Sequence, residues 1–238
     1  YKQMTGNIIS ATKVEPDGKF TDSAASGVWN LQDAYDYTRG ANWPNAANLN
    51  TRAIFSGGAS NNVTIDFINI SSASNATDFG DLIVGTSESG SVGSTTRGVI
   101  GGAASASTIQ YVTFASTGNS QDFGDLSTFR TISNAGSNVT RGLFFGGTAQ
   151  FGSYTRVDTV DYITIANTGN ATDFGNLIRA NAGPGAGFAS TTRAIYGGGA
   201  FGGGTSRDDA IDYFTIASAG NATDFGNLSA GKEGVNGC

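Results

Sequence analysis

An all-β repeat fold is what this sequence predicts, and three observations carry that prediction. One pattern occurs four times along 238 residues. Charged residues make up only 13% of the chain, against roughly 25% in ordinary domains. Glycine contributes 36 residues with no collagen period, and short apolar runs recur between the glycines at fixed phase. Few charges, many glycines and brief apolar runs suit tightly turned β-structure, where Gly supplies positive φ at bends. The fixed phase argues against disorder, the other state that a Gly/Ser/Asn-rich composition permits.

Each repeat opens on an arginine: Arg52, Arg97, Arg141 and Arg193. A glycine pair follows: Gly57-Gly58, Gly101-Gly102, Gly146-Gly147 and Gly197-Gly198. Then comes an apolar–Asp/Gln–aromatic step, at Ile65-Asp66-Phe67, Ile109-Gln110-Tyr111, Val160-Asp161-Tyr162 and Ile211-Asp212-Tyr213. Each repeat closes on Asp-Phe-Gly, beginning at Asp78, Asp122, Asp173 and Asp224. The arginines lie 45, 44 and 52 positions apart. A period of that size marks a solenoid, propeller or array.

In chain order, residues 1–22 hold short apolar stretches (Ile8-Ile9, Val14, Phe20) broken by a Pro16-Asp17-Gly18 turn, an extended lead-in or small hairpin. Leu31, Ala34, Tyr35 and Thr38 then fall at helical spacing, with Asn30 able to cap and Gly40 able to stop a helix. A short helix over about 31–38 is predicted, bracketed by Trp29 and Trp43 and stapling one face of the repeat region. The domain division is therefore a lead-in at 1–44 and repeats at about 45–82, 83–126, 127–177 and 178–228, with a tail at 229–238.

Within the fourth repeat, 193–198 is a short strand ended by glycines. Residues 210–217 alternate, with Ile211 and Tyr213 on one face and Asp212, Phe214 and Ile216 on the other. Both faces are largely apolar, as in a strand buried between stacked sheets. Ser218-Ala219-Gly220-Asn221 is a turn, Asp224–Leu228 a last strand, and the stretch from Leu177 to Arg193 supplies one more. The extra length of the fourth copy falls mainly at 201–207, after the Gly pair, so the inserts lie on one face of the array.

A four-strand unit of this length with a Gly pair after its second strand resembles the kelch β-propeller repeat, over roughly residues 45–228. Phe79, Phe123, Phe174 and Phe225 stand where that repeat usually has Trp. The resemblance implies a kelch-like propeller of four blades, or five if a further blade belongs to the ring. Leu82 to Arg97 and Leu126 to Arg141 each span 15 positions and Leu177 to Arg193 spans 16. Residues 229–238 thus have the length of a first strand, expected to pair beside Arg52–Gly58 and close the ring. The competing reading puts Pro44–Asn50 in that place. Separately, Gly27-Val28-Trp29, Leu31, Gly40 and Trp43-Pro44 resemble a segment of tailed-phage structural proteins.

Chemistry-bearing patterns are sparse. The chain has no His and one Cys, Cys238, which removes Ser-His-Asp catalysis and His- or thiolate-held metals. No cofactor or metal is expected, and the protein is expected not to be an enzyme. Asp-Phe-Gly also holds Mg²⁺ in kinases, but four copies without a phosphate loop point to turn chemistry. In that reading Asp accepts turn N–H groups, Phe fills the gap between blades and Gly makes the turn. Ser120, Asp122 and Gly124 resemble the Asp box of sialidase propellers, with Ala76, Ala171 and Ala222 replacing the Ser elsewhere; that element is a turn too. The four arginines are expected to pair with acids of their own or neighbouring blades, rather than converge on an anion. Asp208-Asp209 is the one unrepeated acidic pair, expected on a solvated loop, and a glycosidase would need two acids facing across a sugar.

A net charge of −6 with no basic run disfavours nucleic acid and anionic membranes, and no apolar run approaches the ~20 residues of a membrane span. Together the two resemblances imply a virion protein of a phage tail, fibre or appendage, extracellular once released. Its partners would be other virion proteins, a host-surface glycan or receptor, or further copies of itself. Contact would be made by the loops after the Gly pairs (59–62, 103–108, 148–159, 199–209). Phe151, Tyr154, Phe201 and Arg207 are the side chains there best able to stack on a sugar or fill a pocket. A secreted or cell-surface glycan-binding propeller is the alternative, and a propeller glycosidase the reading behind it.

Overall fold

Apolar runs of five to eight residues, interrupted by Ser/Asn/Gly turns, fold into antiparallel meanders, and in two of them the strands of an inserted ribbon intervene in sequence between neighbouring strands. The computed structural model describes residues 51–103, 106–132, 134–149, 155–182, 185–202, 206–235 and 237. The chain divides into two units, Tyr1–Thr51 and Arg52–Cys238. The expected lead-in hairpin and the helix over 31–38 lie outside the described residues, among which no helix occurs.

Blade I comprises β1 (Arg52–Ser56), β2 (Thr64–Asn69) and β3 (Thr77–Asp81). Blade II comprises β4 (Gly90–Gly93), β5 (Arg97–Ala103), β6 (Ala106–Thr113) and β7 (Gln121–Asp125), in that order from the inner edge outward. Next come β8 (Arg130–Thr131), β9 (Ala135–Ser137), β10 (Arg141–Phe145), β11 (Thr148–Ala149), β12 (Thr155–Arg156), β13 (Thr159–Thr164) and β14 (Thr172–Asn176). Of these, β9, β10, β13 and β14 form blade III, and β8, β11 and β12 a small separate sheet. The last run is β15 (Asn181–Ala182), β16 (Ala186–Ala189), β17 (Arg193–Gly197), β18 (Ala200–Phe201), β19 (Ser206–Arg207), β20 (Ala210–Thr215) and β21 (Thr223–Asn227). It repeats the arrangement: β16, β17, β20 and β21 make blade IV, and β15, β18 and β19 a second small sheet. The inserts expected as loops at 148–159 and 199–209 thus contain β-ribbons, because their backbone pairs back onto the strand entering the blade, β8 or β15.

The hairpin from inner to second strand is fixed by one side chain. Ser94 Oγ, Asn138 Oδ1 and Ser190 Oγ each accept the N–H groups of the residues two and three positions on, the latter being Arg97, Arg141 and Arg193. The Asp-Phe-Gly motif is a β-bulge rather than a turn. In blade I, Gly80 pairs with Ile65 and Asp78 with Asp66, so Phe79 is the additional residue; the same shift occurs in blades II, III and IV. Its Asp side chains are exposed on the outer strand, and only Asp224 accepts an N–H among the described bonds, that of Gly226 at 3.1 Å.

Among the described residues the core consists of three apolar clusters, each between consecutive blades. Ile65, Phe79 and Leu82 of blade I meet Ile100 and Val112 of blade II. Ile109, Phe123 and Leu126 meet Phe144, Ile163 and Ile165 of blade III. Val160, Phe174 and Leu177 meet Tyr196, Phe214 and Ile216 of blade IV. Bulge residues Phe79, Phe123 and Phe174 are each 2% exposed, whereas Phe225 is 55% exposed. Of the tail, residues 229–235 hold no strand and β1 pairs only with β2 among the described residues.

Candidate functional site

The repeated side chains converge on the junctions between blades. Arg52, Arg97, Arg141 and Arg193 each lie over the aromatic ring of the third strand of their own blade, at 4.9, 4.7, 5.1 and 4.9 Å from the centroids of Phe67, Tyr111, Tyr162 and Tyr213. Each of these rings meets the bulge Phe edge-on, at 5.7, 5.9, 5.5 and 6.0 Å. The guanidinium then reaches forward. Arg52 Nη1 donates to the Phe114 carbonyl at 2.6 Å, Arg97 Nη1 to those of Ile165 and Ala166 at 3.2 and 2.8 Å, and Arg141 Nη1 to that of Ile216 at 2.7 Å. The expected acidic partners are replaced by backbone carbonyls, because the turn after the third strand of the next blade leaves C=O groups aimed at the arginine. Arg193 lies over its ring but is exposed.

Outer strands hold the turn of the following blade through backbone. Gly118 N–H donates to Phe79 O at 2.7 Å and Ser120 N–H to Asp81 O at 2.8 Å, while Asn119 Oδ1 accepts the Asp81 N–H at 3.0 Å. Gly169, Ala171 and Asn170 repeat this on Phe123 and Asp125 at 2.6, 2.8 and 3.1 Å. Gly220, Ala222 and Asn221 repeat it on Phe174 and Asn176 at 2.7, 2.8 and 3.1 Å. Asn119, Asn170 and Asn221 therefore act across blades. The bulge glycines sit where this contact is closest: a Cβ on Gly80, Gly124 or Gly175, all at φ +143°, would lie within 2.4–2.5 Å of the next turn.

A third set of ties uses the Asp/Gln of the third strand, which faces the preceding blade. Gln110 Oε1 accepts the Ile83 N–H at 3.0 Å and Gln110 Nε2 donates to Val84 O at 2.7 Å. Asp161 accepts Ser127 N–H and Oγ–H at 3.0 and 2.6 Å, and Asp212 accepts the Ile178 N–H at 2.9 Å. Each thus fixes the strand-to-strand crossover between blades. Asp161 also pairs with Arg130 at 2.9 Å, both side chains fully buried, and Arg130 Nε donates to the Gly146 carbonyl. Burial pushes the Arg130 guanidinium below its ordinary range, with the Asp161 charge opposing that shift. Asp212 has no ion-paired cation among the described residues, and the Arg179 charge acts on it only weakly. Burial raises its carboxyl, against the Ile178 N–H, which favours the charged form.

Of the contact residues expected in the inserts, Phe151 and Tyr154 lie outside the described residues. The structure brings the others to one end of blade IV. Arg179 lies over the Phe201 ring at 5.2 Å and pairs with Asp208 at 2.8 Å. Asp208, expected on a solvated loop, is 2% exposed. It also accepts the Asn181 Nδ2–H and Ala210 N–H bonds at 3.1 Å each, because the ribbon folds it inward beneath Arg179. Asp209 is half-buried, and its carbonyl accepts the Leu228 N–H at 2.6 Å. Arg207 is exposed and paired with Glu233 at 3.1 Å. The accessible chemistry here is a partly exposed guanidinium on an aromatic face, which can stack against a planar or sugar ring. Arg179, Arg130 and Asn181 were not singled out by sequence, since nothing marks their burial except their places in the crossovers. A cavity of about 270 Å³ lies among the inner strands, lined by Val92, Val99, Ile100, Phe114 and Phe188 among others.

No family model matches the sequence, and no curated protein matches it. Among solved structures 156 chains match, so the fold is widely shared and by itself assigns no activity. One of them, described as "Structure of YjhT", superposes with a TM-score of 0.60 at 9% identity, covering 77% of this chain and 65% of that one. The chain therefore spans 65% of the length of that relative in structure. At this identity the likeness speaks for the fold alone, and the fold is β-propeller-like.

Proposed function

We propose that this chain is a non-enzymatic structural protein of a phage tail, fibre or appendage, a kelch-like blade array that presents its inserts to another virion protein or a host-surface glycan. The observation that carries this reading is where the repeated polar residues are spent. Arg52, Arg97 and Arg141, the third-strand Gln110, Asp161 and Asp212, and the bulge motifs of blades I to III hold blade to blade, so the repeat's chemistry is scaffold chemistry. What breaks the repeat is the Arg179–Phe201–Arg207 end of blade IV, an arrangement suited to contact. The tailed-phage resemblance of residues 27–44 supports the placement in a virion, and the kelch resemblance supports the blade count. Imaging of the native particle with an antibody fragment against blade IV tests it. Label on a tail or appendage is the expected result; particles free of the chain would overturn the assignment. If the contact is to a glycan, Phe201→Ala and Arg179→Ala each lower binding on a glycan array about tenfold or more.

A further inference from the structure

We propose that the outer face of blade IV docks blade I of a second copy of this chain, head to tail, through the same contact that joins blades within the chain. The three internal junctions use one set of atoms, and the two ends of the array each expose one half of that set.

On blade IV, Phe225 is 55% exposed where its three counterparts are buried. A Cβ on Gly226 meets nothing within 4 Å, whereas on Gly80, Gly124 and Gly175 it runs into the next blade. Arg193 is exposed, whereas the other three arginines reach a carbonyl beyond their own blade. On blade I, Phe55 and Ile70 are 57% and 65% exposed. Phe55 corresponds in the repeat to Ile100, Phe144 and Tyr196, none more than 3% exposed. Ile70 corresponds to Phe114, Ile165 and Ile216, whose carbonyls take the arginines.

The two halves match in register. Ser74-Asn75-Ala76 stands where Gly118-Asn119-Ser120 stands in blade II. Seated on blade IV of another copy, the Ser74 and Ala76 N–H groups meet the Phe225 and Asn227 carbonyls, and Asn75 Oδ1 meets the Asn227 N–H. Asp66, in the place of Gln110, takes the Ser229 N–H, and Arg193 reaches the Ile70 carbonyl. The one departure is Ser74 for Gly: a Cβ on Gly118, Gly169 or Gly220 meets nothing within 4 Å, but Gly118 and Gly169 hold φ +153° and +152°, a backbone that Ser74 does not share, so the Ser74 turn must adjust on docking.

A second copy is the occupant because blade I carries every element of the missing half, yet among the described residues nothing covers either end face. The contact is heterologous, so copies joined this way form a ring or an extending filament rather than a two-fold dimer. Sedimentation velocity on the full chain, from about 1 to about 100 µM, reads it out with two variants. Phe225→Asp blocks the blade IV face and Ile70→Asp the blade I face; both sites are exposed, so circular dichroism stays that of the parent. The parent chain should grow in mass with concentration, and each variant should stay monomeric. An equimolar mixture of the two should give a dimer and nothing larger, since one intact face remains on each. A parent that is monomeric throughout, variants that associate like the parent, or a mixture that yields no dimer would each overturn the proposal.

Discussion

Single buried polar residues decide how firmly one blade holds the next. Arg130 and Asp161 are both 0% exposed and each satisfies part of the other. Removing one partner leaves a desolvated charge, so Arg130→Ala is expected to lower unfolding stability in urea by about 3–5 kcal/mol. Replacing both by apolar residues, Arg130→Met with Asp161→Leu, should cost less than the single change. Asp212 occupies the same strand position without an ion-paired arginine among the described residues. Its carboxyl is raised, so the folded protein binds more protons than the unfolded chain between the ordinary carboxylate value and the folded one. Stability from this group therefore falls as pH rises through that window. Asp212→Asn removes the charge and keeps an acceptor for Ile178, as the Gln110 amide does in blade II. It should raise Tm by roughly 2 °C at pH 7 and give no gain below about pH 4, by calorimetry at the two pH values. These roles were half legible. The apolar–Asp/Gln–aromatic step stood out in the sequence, but the crossover N–H groups it binds belong to a segment 26 to 34 residues earlier, which spacing along one strand does not reveal.

At the scale of the element, the bulge and the arginine clasp are the repeated devices. Asp-Phe-Gly resembles a turn in sequence because Asp and Gly are turn formers. In the structure the Gly sits inside an outer strand, and Gly within a strand is the signature of a bulge or a close backbone approach. Both apply, since the bulge turns Phe into the junction and the bare Gly admits the next turn. Gly124→Ala puts a methyl within 2.5 Å of Gly169 at φ +143°, while Gly226→Ala in dilute protein bears the backbone strain without the clash. Thermal melts of the two should therefore differ, with Gly124→Ala lower by several degrees. Similarly, Arg97→Lys loses the flat contact with Tyr111 and moves the donor away from the place where Nη1 bonds the Ile165 and Ala166 carbonyls, and should cost about 1 kcal/mol. Arg193→Lys, without a described carbonyl partner, should cost about half that or less when measured on monomer. The strands themselves were legible from alternation and glycine spacing. The ribbons of the inserts were not, since strands of two residues carry no periodicity.

For the whole molecule, stability is a sum over junctions. Each blade contacts its neighbours, as expected of a repeat array, and three apolar clusters join four blades among the described residues. Repeat counting showed the number of units and the phase of each. It did not show that 229–235 would hold no strand or that Phe225 would be left exposed, because closure depends on the angle between blades rather than on the sequence of any one. Among the described residues, Phe225 on blade IV and Phe55 and Ile70 on blade I are left exposed. Amide hydrogen exchange on dilute protein tests this picture most directly. Gly118, Ser120, Gly169, Ala171, Gly220 and Ala222, whose N–H groups bond across the three junctions, should exchange slowly, and the corresponding Ser74 and Ala76 amides of blade I should exchange fast. Equal protection of all eight in the monomer would mean a ring closed upon itself, and fast exchange at all of them would mean that the junctions do not hold the blades together.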